Sequence, residues 1–122
     1  MKYVDGFVIV VPDANLKQYR ELARKCGKIW REHGALEYFE CVGDDLDVKK
    51  MKILSFTKLA KAKEGEAVVF SFVVYKSRKD RDRVNAAVMA DKRMKKIMAS
   101  PDSCPFDPMR MAMGGFKVMV EA

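Results

Sequence analysis

The sequence predicts an α+β fold of the ferredoxin-like class, a βαββαβ sandwich whose two helices cover one face of a four-stranded sheet. Apolar strand segments alternate with two amphipathic helical segments in the order β-α-β-β-α-β. In addition, the first and third strands are apolar on both faces, whereas an antiparallel sheet with one solvated face alternates apolar with polar residues. The second sheet face is therefore expected either to be covered or to bind a ligand.

Length and composition favour one globular domain. The chain has 122 residues, of which 49% are hydrophobic and 34% charged. We expect residues 1–122 to form a single ferredoxin-like domain with an insertion at about residues 43–65. The longest uncharged run, Ala67–Tyr75, is too short to span a bilayer, and Asp5 interrupts the N-terminal apolar stretch, which lacks a signal-peptide pattern. We expect a cytoplasmic protein with no membrane partner.

The first third of the chain contains two predicted strands around a long helix. Tyr3–Val11 is the first strand, and Leu36–Val42 is the second. The helix between them can be capped by Asp13 or Asn15, and Gly34 suits the left-handed position just after its end. Its apolar stripe recurs every three or four residues: Leu16, Tyr19, Ala23, Cys26, Trp30 and His33.

The segment Gly43–Gly65 is polar and rich in lysine, and we interpret it as an insertion. Its short apolar piece, Ile53–Leu59, is interpreted as one short strand. The aspartates Asp44, Asp45 and Asp47 lack the spacing and the closing glutamate of a calcium loop, so a solvated turn is the favoured interpretation.

The second half of the chain begins with Ala67–Tyr75, the third predicted strand. Ser77 and Asp80 form an S-x-x-D capping signal for a helix that continues to about Ala90. A break or a new cap is expected at Asp91.

The C-terminal part is predicted to be a loop followed by the fourth strand. Ser100–Pro108 contains three prolines, and Met109–Val120 is the strand. Its Gly114–Gly115 pair indicates a bulge or a close backbone approach. In a sheet of order 4-1-3-2, Asp5 would lie near Lys117 and could form a structural ion pair.

Several short motifs are distinctive in combination, although none is chemically diagnostic. They are Lys2–Val8 with Val11–Pro12, Gly34–Leu36, Glu40–Cys41, Val68–Phe72 with Tyr75 and Ser77, Met89–Met94, Pro105–Asp107, Arg110–Met111 and Gly114–Phe116. Over nearly its whole length the chain therefore resembles the YbaA-like bacterial proteins, a family with a domain of unknown function (DUF1428). The resemblance implies a dimeric α/β-barrel, in which two ferredoxin-like sheets face each other across a shared interior. It implies no established activity.

Charged residues interrupt the apolar strands at Asp5, Glu40 and Arg110. Because charges are seldom buried unpaired, these residues either pair locally at strand ends or line the barrel cavity and orient a small ligand. Tyr38, on the same strand face as Glu40, and His33, at the end of the helical stripe, complete the candidate ligand-binding set. For His33, packing or helix capping is the alternative role.

The common catalytic and metal-binding motifs are missing from the sequence. It contains no GxGxxG, no P-loop and no GxSxG motif, and its one histidine excludes a His-cluster metal site. Cys26, Cys41 and Cys104 are widely spaced, without a CxxC pair, which indicates neither a disulfide framework nor a zinc site. We expect no metal and no cofactor, and no catalytic residue is assigned.

The chain is basic, with 24 Lys and Arg against 17 Asp and Glu, a net charge of +7. A basic protein has raised odds of an anionic partner. However, acids are interleaved with the bases on the first helix, which is typical of a solvated face with ion pairs one turn apart, here Lys17–Glu21 and Lys28–Glu32. Nucleic acid is therefore not the expected partner.

We expect a homodimer that binds a small molecule in its interior. An RNA-binding module is one alternative, because Phe70–Tyr75 matches the third-strand signature of the RNA-recognition fold apart from Ser71. The preceding Val68–Val69 departs from that signature, which there requires a basic residue and a glycine. Exposed Phe70 and Phe72 beside basic residues would favour RNA. Because similar barrels include cofactor-free oxygenases, an enzyme of that kind is the other alternative.

Overall fold

Four antiparallel strands form a single sheet in the computed structural model, which describes residues 1–100 and 104–122. The strands are β1 (Tyr3–Pro12), β2 (Glu37–Val42), β3 (Glu66–Tyr75) and β4 (Ala112–Lys117). Their order in the sheet is β2-β3-β1-β4, which is the order predicted from the sequence. The ferredoxin-like fold is thereby confirmed.

Four α-helices are described: α1 (Leu16–Glu32), α2 (Phe56–Leu59), α3 (Arg78–Ala90) and α4 (Lys92–Met98). Ser77 caps α3 as predicted, because its hydroxyl accepts a 3.0 Å hydrogen bond from the amide of Asp80. The predicted new cap at Asp91 is also confirmed, since its carboxylate accepts from the amide of Arg93 at 2.8 Å and begins α4. None of the helices among the described residues is both long and apolar enough to cross a membrane.

The start of α1 differs from the prediction. A 3-10 turn, Asp13–Asn15, leads into the helix, and the Asn15 side chain makes no cap. Instead, its amide donates a 3.0 Å hydrogen bond to the carbonyl of Pro105, which ties the helix start to the C-terminal loop. At the other end, Gly34 has a φ of +119°, the left-handed conformation that was predicted there.

The strand register assigns each side chain to one of two sheet faces, because directly opposed residues of antiparallel strands point to the same side. One face carries the core against the helices. Its strand residues pack against Tyr19, Ala23 and Ile29 of α1 and against Val84 and Val88 of α3. Those strand residues are Ile9, Val11, Val69, Val73 and Tyr75.

The opposite side of the sheet, here called the open face, is apolar and largely uncovered. Phe70 and Phe116 remain 43% and 62% exposed on it. The strand residues that share this side include Val4, Gly6, Val8, Phe39, Phe70, Phe72, Gly114 and Phe116. The apolar second face that the strand patterns predict is therefore present.

The insertion folds over one end of the open face. Val10 and Val68 belong to this face by register, yet both are buried. The ring of Phe56 meets that of Phe70 edge-on at 6.0 Å. The prediction of a short strand at Ile53–Leu59 was wrong, because this segment contains the helix α2. Ser55 caps α2 by accepting a hydrogen bond from the amide of Lys58.

The C-terminal strand is shorter than predicted. A 3-10 turn, Pro108–Arg110, precedes β4, and the strand ends at Lys117. Of the two alternatives for the glycine pair, the close approach is the one observed: a Cβ on Gly115 would clash with the ring and hydroxyl of Tyr3, while the β1–β4 register runs without a bulge. Part of the predicted loop, residues 101–103, lies outside the described residues.

Candidate functional site

A groove of about 540 Å³ lies between α1 and the edge strand β2 on the helix side of the sheet. Its walls are mainly apolar, and they include Leu16 and Ala23 of α1 and Val69 of β3. Gly27 lets the helix approach the strand, because a Cβ at that position would come 2.7 Å from the ring of Tyr38. We call this concavity the α1–β2 groove.

Three polar side chains converge in the α1–β2 groove. The hydroxyl of Tyr19, from α1, donates a 2.7 Å hydrogen bond to Oε1 of Glu40. The hydroxyl of Tyr38, two residues before Glu40 on β2, donates a 2.7 Å hydrogen bond to Oε2. Since Tyr38 and Glu40 are separated by two positions on a strand, they share the helix-covered face. The carboxylate is thus held at both oxygens.

Burial and the nearby charge of Glu40 shape the chemistry of this cluster. Burial first, and Glu40 second, raise the pKa of Tyr19 and of Tyr38 well above the ordinary value of 10. The same two causes raise the pKa of the Cys26 thiol to about 11. Both tyrosines therefore keep their protons at neutral pH and act as hydrogen-bond donors, while Cys26 stays an unreactive thiol.

Basic residues border the groove along α1. They recur at intervals of three and four positions and so share one helix face: Arg20, Arg24, Lys28 and Arg31. Neither ion pair predicted for this helix forms within 4 Å among the described residues: Glu21 lies 3.7 Å from Arg24, and Glu32 lies 2.7 Å from Arg93 of α4. Besides the hydrogen bond from Arg93, the charge of Lys28 nevertheless helps to lower the pKa of Glu32. Arg31 donates to the carbonyl of Leu36. A positive rim on α1 therefore borders the partly buried carboxylate of Glu40.

Asp5 lies away from this groove, in the core beneath α3. It is 3% exposed and accepts a 2.8 Å hydrogen bond from Arg81 Nη1. The predicted ion pair with Lys117 was wrong, because the register places Asp5 opposite Gly115. The partner of the Asp5 carboxylate is Arg81 of α3. Asn85 donates to the second oxygen at 3.4 Å. Asp5 thus joins β1 to α3 through a buried ion pair.

His33 and Arg110 each contact a separate carboxylate, away from the groove. Nε2 of His33 lies 2.8 Å from Oδ2 of Asp91, at the junction of α3 and α4. Arg110 donates from both terminal nitrogens to the carboxylate of Glu66, at 2.6 and 3.0 Å, beside the insertion. Of the five candidate residues, the structure therefore brings only Glu40 and Tyr38 together.

The open face offers a second concavity, of about 610 Å³. Its lining is apolar and aromatic, with Val8, Phe70, Phe72 and Phe116 among its residues. Neither lysine nor arginine occurs at the strand positions of the described residues that face this side; the charged positions there are Glu37 and Glu66. The strand positions around the exposed phenylalanines are therefore apolar or acidic.

Comparison with known proteins gives the family. Residues 2–108 match the family described as "Protein of unknown function (DUF1428)". The chain belongs to the DUF1428 family. It is 43% identical, over 121 residues and 99% of both chains, to the Uncharacterized protein YbaA of Escherichia coli strain K12, and equally so to YbaA of Shigella flexneri. The resemblance seen in the motifs is confirmed.

Solved structures similar to this DUF1428 chain share its fold at low sequence identity. A dimeric ferredoxin-like protein from an uncultured marine organism has a TM-score of 0.62 at 13% identity, over 100% of both chains. SnoaB, a cofactor-independent oxygenase from Streptomyces nogalater, has a TM-score of 0.57 at 12% identity, over 98% of this chain and 95% of SnoaB. At such identities the likeness shows the fold alone.

In the polar cluster of this DUF1428 member's groove, Tyr19 is the residue that sequence reasoning missed. Tyr19 belongs to the apolar helical stripe, whose spacing indicates a core position. No local pattern indicates its contact with Glu40, because that contact depends on how α1 packs on the sheet. Within the described residues, no three His, Cys, Asp or Glu side chains lie close enough together to hold a metal ion.

Proposed function

We propose that this protein is a homodimeric α/β-barrel that binds a small organic molecule in the α1–β2 groove of each protomer. The observation that supports a ligand site is the convergence of Tyr19, Tyr38 and Glu40 within apolar walls. Small-molecule sites typically have this form, a mainly apolar concavity with a few fixed polar groups. The volume of about 540 Å³ lies within the usual range for such sites.

The ligand is proposed to bind within each protomer and not between the two sheets. Glu40 and Tyr38, the candidate residues that lie together, point toward α1 and away from the open face. Asp5, His33 and Arg110 are each engaged elsewhere, so the ligand proposal rests on Glu40 and Tyr38 with Tyr19. The open face is assigned to self-association instead.

Self-association explains the open face. A large apolar patch is rarely left exposed in a monomeric protein, and two copies related by a twofold axis can bury the same patch against itself. The absence of basic residues from its strand positions, among the described residues, favours this role over RNA binding. The oxygenase activity named for SnoaB is not extended to this chain, because that likeness concerns the fold.

The dimer is tested by placing a charge on the open face. Phe72→Asp, with Phe116→Asp as a milder second variant, should convert the dimer to a monomer in sedimentation equilibrium at micromolar concentration. Met119→Asp is the control, since Met119 is 86% exposed and lies beyond β4. The unfolding temperature of the wild type should rise with protein concentration. A folded wild-type monomer at that concentration would refute the dimer.

The ligand site is tested by a fragment screen read out on backbone amides by NMR. Hits should shift the amide resonances of Ala23, Gly27 and Tyr38, and Glu40→Gln should weaken their binding. Glu37→Gln is the matched control, because Glu37 lies on the same strand but on the open face. Hits that leave the groove amides unchanged, or that bind both variants equally, would contradict the proposal.

A further inference from the structure

We infer that the ligand of the α1–β2 groove is an organic anion with an apolar body and a hydroxyl or amino group, which binds with its anionic end at the basic rim and its donor group at Glu40. This inference rests on the groove being the ligand site proposed above. It follows from three features of the groove: the charge at its rim, the acceptors at its bottom and the apolar walls between them.

The rim favours an anion. Four basic side chains border the groove on one face of α1, from Arg20 to Arg31, and at about 1.5 Å per residue they extend over roughly 16 Å. Among the described residues, no carboxylate lies within 4 Å of Arg20 or Lys28, although, besides the hydrogen bond from Arg93, the charge of Lys28 helps to lower the pKa of Glu32. The contact of Arg24 with Glu21 is long, at 3.7 Å. These cations can therefore bind an incoming anion without first giving up a strong ion pair.

The bottom of the groove favours a hydrogen-bond donor. A carboxylate can accept about four hydrogen bonds, and the two tyrosine hydroxyls each supply one to Glu40. Since both hydroxyl protons are used in this way, what the cluster still offers a ligand is lone pairs on oxygen. An anionic group would be repelled there, whereas a hydroxyl or amino group would complete the bonding. The anionic end of the ligand consequently points outward.

The walls favour an apolar body between these two ends. Leu16, Ala23 and Val69 line the groove below the rim, together with Val42 at the edge of the sheet. An inorganic anion would contact the rim but leave these side chains uncovered and supply no further donor to Glu40. A flat body of one or two rings would cover them and gain the free energy of removing apolar surface from water.

Three probes of one skeleton test the inference by calorimetry on the full chain: 6-hydroxy-2-naphthoate, its methyl ester, and 2-naphthoate. The hydroxy acid should bind tightest. Loss of the charge in the ester, or of the hydroxyl in 2-naphthoate, should each weaken binding about tenfold, since a hydrogen bond to a charged group contributes roughly that factor or more. An ester that binds as tightly as the acid would refute the inference that the ligand is an anion, even if NMR confirms the groove as the binding site.

Paired variants locate each end of the probe. The double variant Arg20→Gln with Arg24→Gln should weaken the hydroxy acid about tenfold and leave the ester unchanged. Lys17→Gln with Lys25→Gln is the control, because it removes the same charge from α1 on the side that faces α4. Glu40→Gln should abolish the advantage of the hydroxy acid over 2-naphthoate. If both double variants weaken binding equally, the effect is one of net charge and the inference fails.

A failure of this inference can be told apart from a failure of the proposed function. If fragments shift the groove amides but neutral or cationic ones bind tightest, the proposed site stands and the ligand class assigned here is refuted. If no compound in the screen or in the naphthoate series shifts those amides, both are refuted.

Discussion

Gly27 of α1 lies directly against the aromatic ring of Tyr38 on β2. A Cβ added at Gly27 would come 2.7 Å from Cδ1 and 2.8 Å from Cε1 of that ring. The glycine thus sets how closely the helix packs on the edge strand, and it holds Tyr38 where its hydroxyl reaches Glu40 at 2.7 Å. This contact helps to set the spacing between α1 and β2 at the α1–β2 groove.

Gly27→Ala is therefore expected to destabilise the protein, although alanine is normally the better residue inside a helix by about 0.5–1 kcal/mol. The clash with Tyr38 should exceed that gain and leave a net loss of about 1–2 kcal/mol. Urea denaturation measures the change. In a Tyr38→Leu background the same substitution should be neutral or stabilising. A wild-type background in which Gly27→Ala stabilises would show that the ring moves aside freely.

Removing Arg81 should cost far more than removing its neighbour on the same helix. Arg81→Met leaves the carboxylate of Asp5 buried without its cation, which is expected to cost about 3–5 kcal/mol. Arg83→Met is the matched control: Arg83 pairs with Asp80 at 2.7 Å but is 59% exposed, so the loss should not exceed about 1 kcal/mol. Equal losses in thermal denaturation would contradict a buried role for Asp5.

The double variant Asp5→Asn with Arg81→Met separates pairing from packing. Because it removes both charges, it should be less destabilised than Arg81→Met alone. A double variant as unstable as the sum of the two single variants would indicate that the residues act independently.

The Arg110–Glu66 pair should contribute stability that depends on pH. Hydrogen bonds from Arg110, and then from the amide of Lys63, lower the pKa of Glu66 from 4.5 to about 2. A carboxylate with a lowered pKa in the folded state stabilises the protein above its unfolded pKa, and this contribution is lost as the pH falls through the folded value. The stability advantage of the wild type over Arg110→Gln should thus be constant above pH 4.5 and shrink between pH 4.5 and about 2.

Urea denaturation at several pH values, with an NMR titration of the Glu66 carboxyl, tests this dependence. Arg110→Gln should raise the pKa of Glu66 toward 4.5, and Arg110→Lys should restore part of the shift because it keeps the charge. An advantage that grows as the pH falls would have the wrong sign for this mechanism.

The regular elements were predictable because their signals are local. The S-x-x-D pattern at Ser77 and the second cap at Asp91 act within one helical turn. The structure of the insertion was not predictable, because its apolar residues are too few to distinguish a strand from the single turn of α2. The hydrogen bond that caps α2 at Ser55 stabilises the helix there. The C-terminal strand was predicted too long because apolar residues continue past Lys117, where pairing with β1 ends.

By itself, the sequence determined the strands, the two long helices, the sheet order and the presence of a second apolar face. Only the tertiary structure decided which face of the sheet the helices cover and which face stays open. Residues two apart on a strand share a side, so Tyr38 and Glu40 had to lie together, but both faces of the sheet are apolar and the alternation cannot tell which one the helices cover. The partners Tyr19 and Arg81 depend on how α1 and α3 pack on that face, a distance in space that no local pattern encodes.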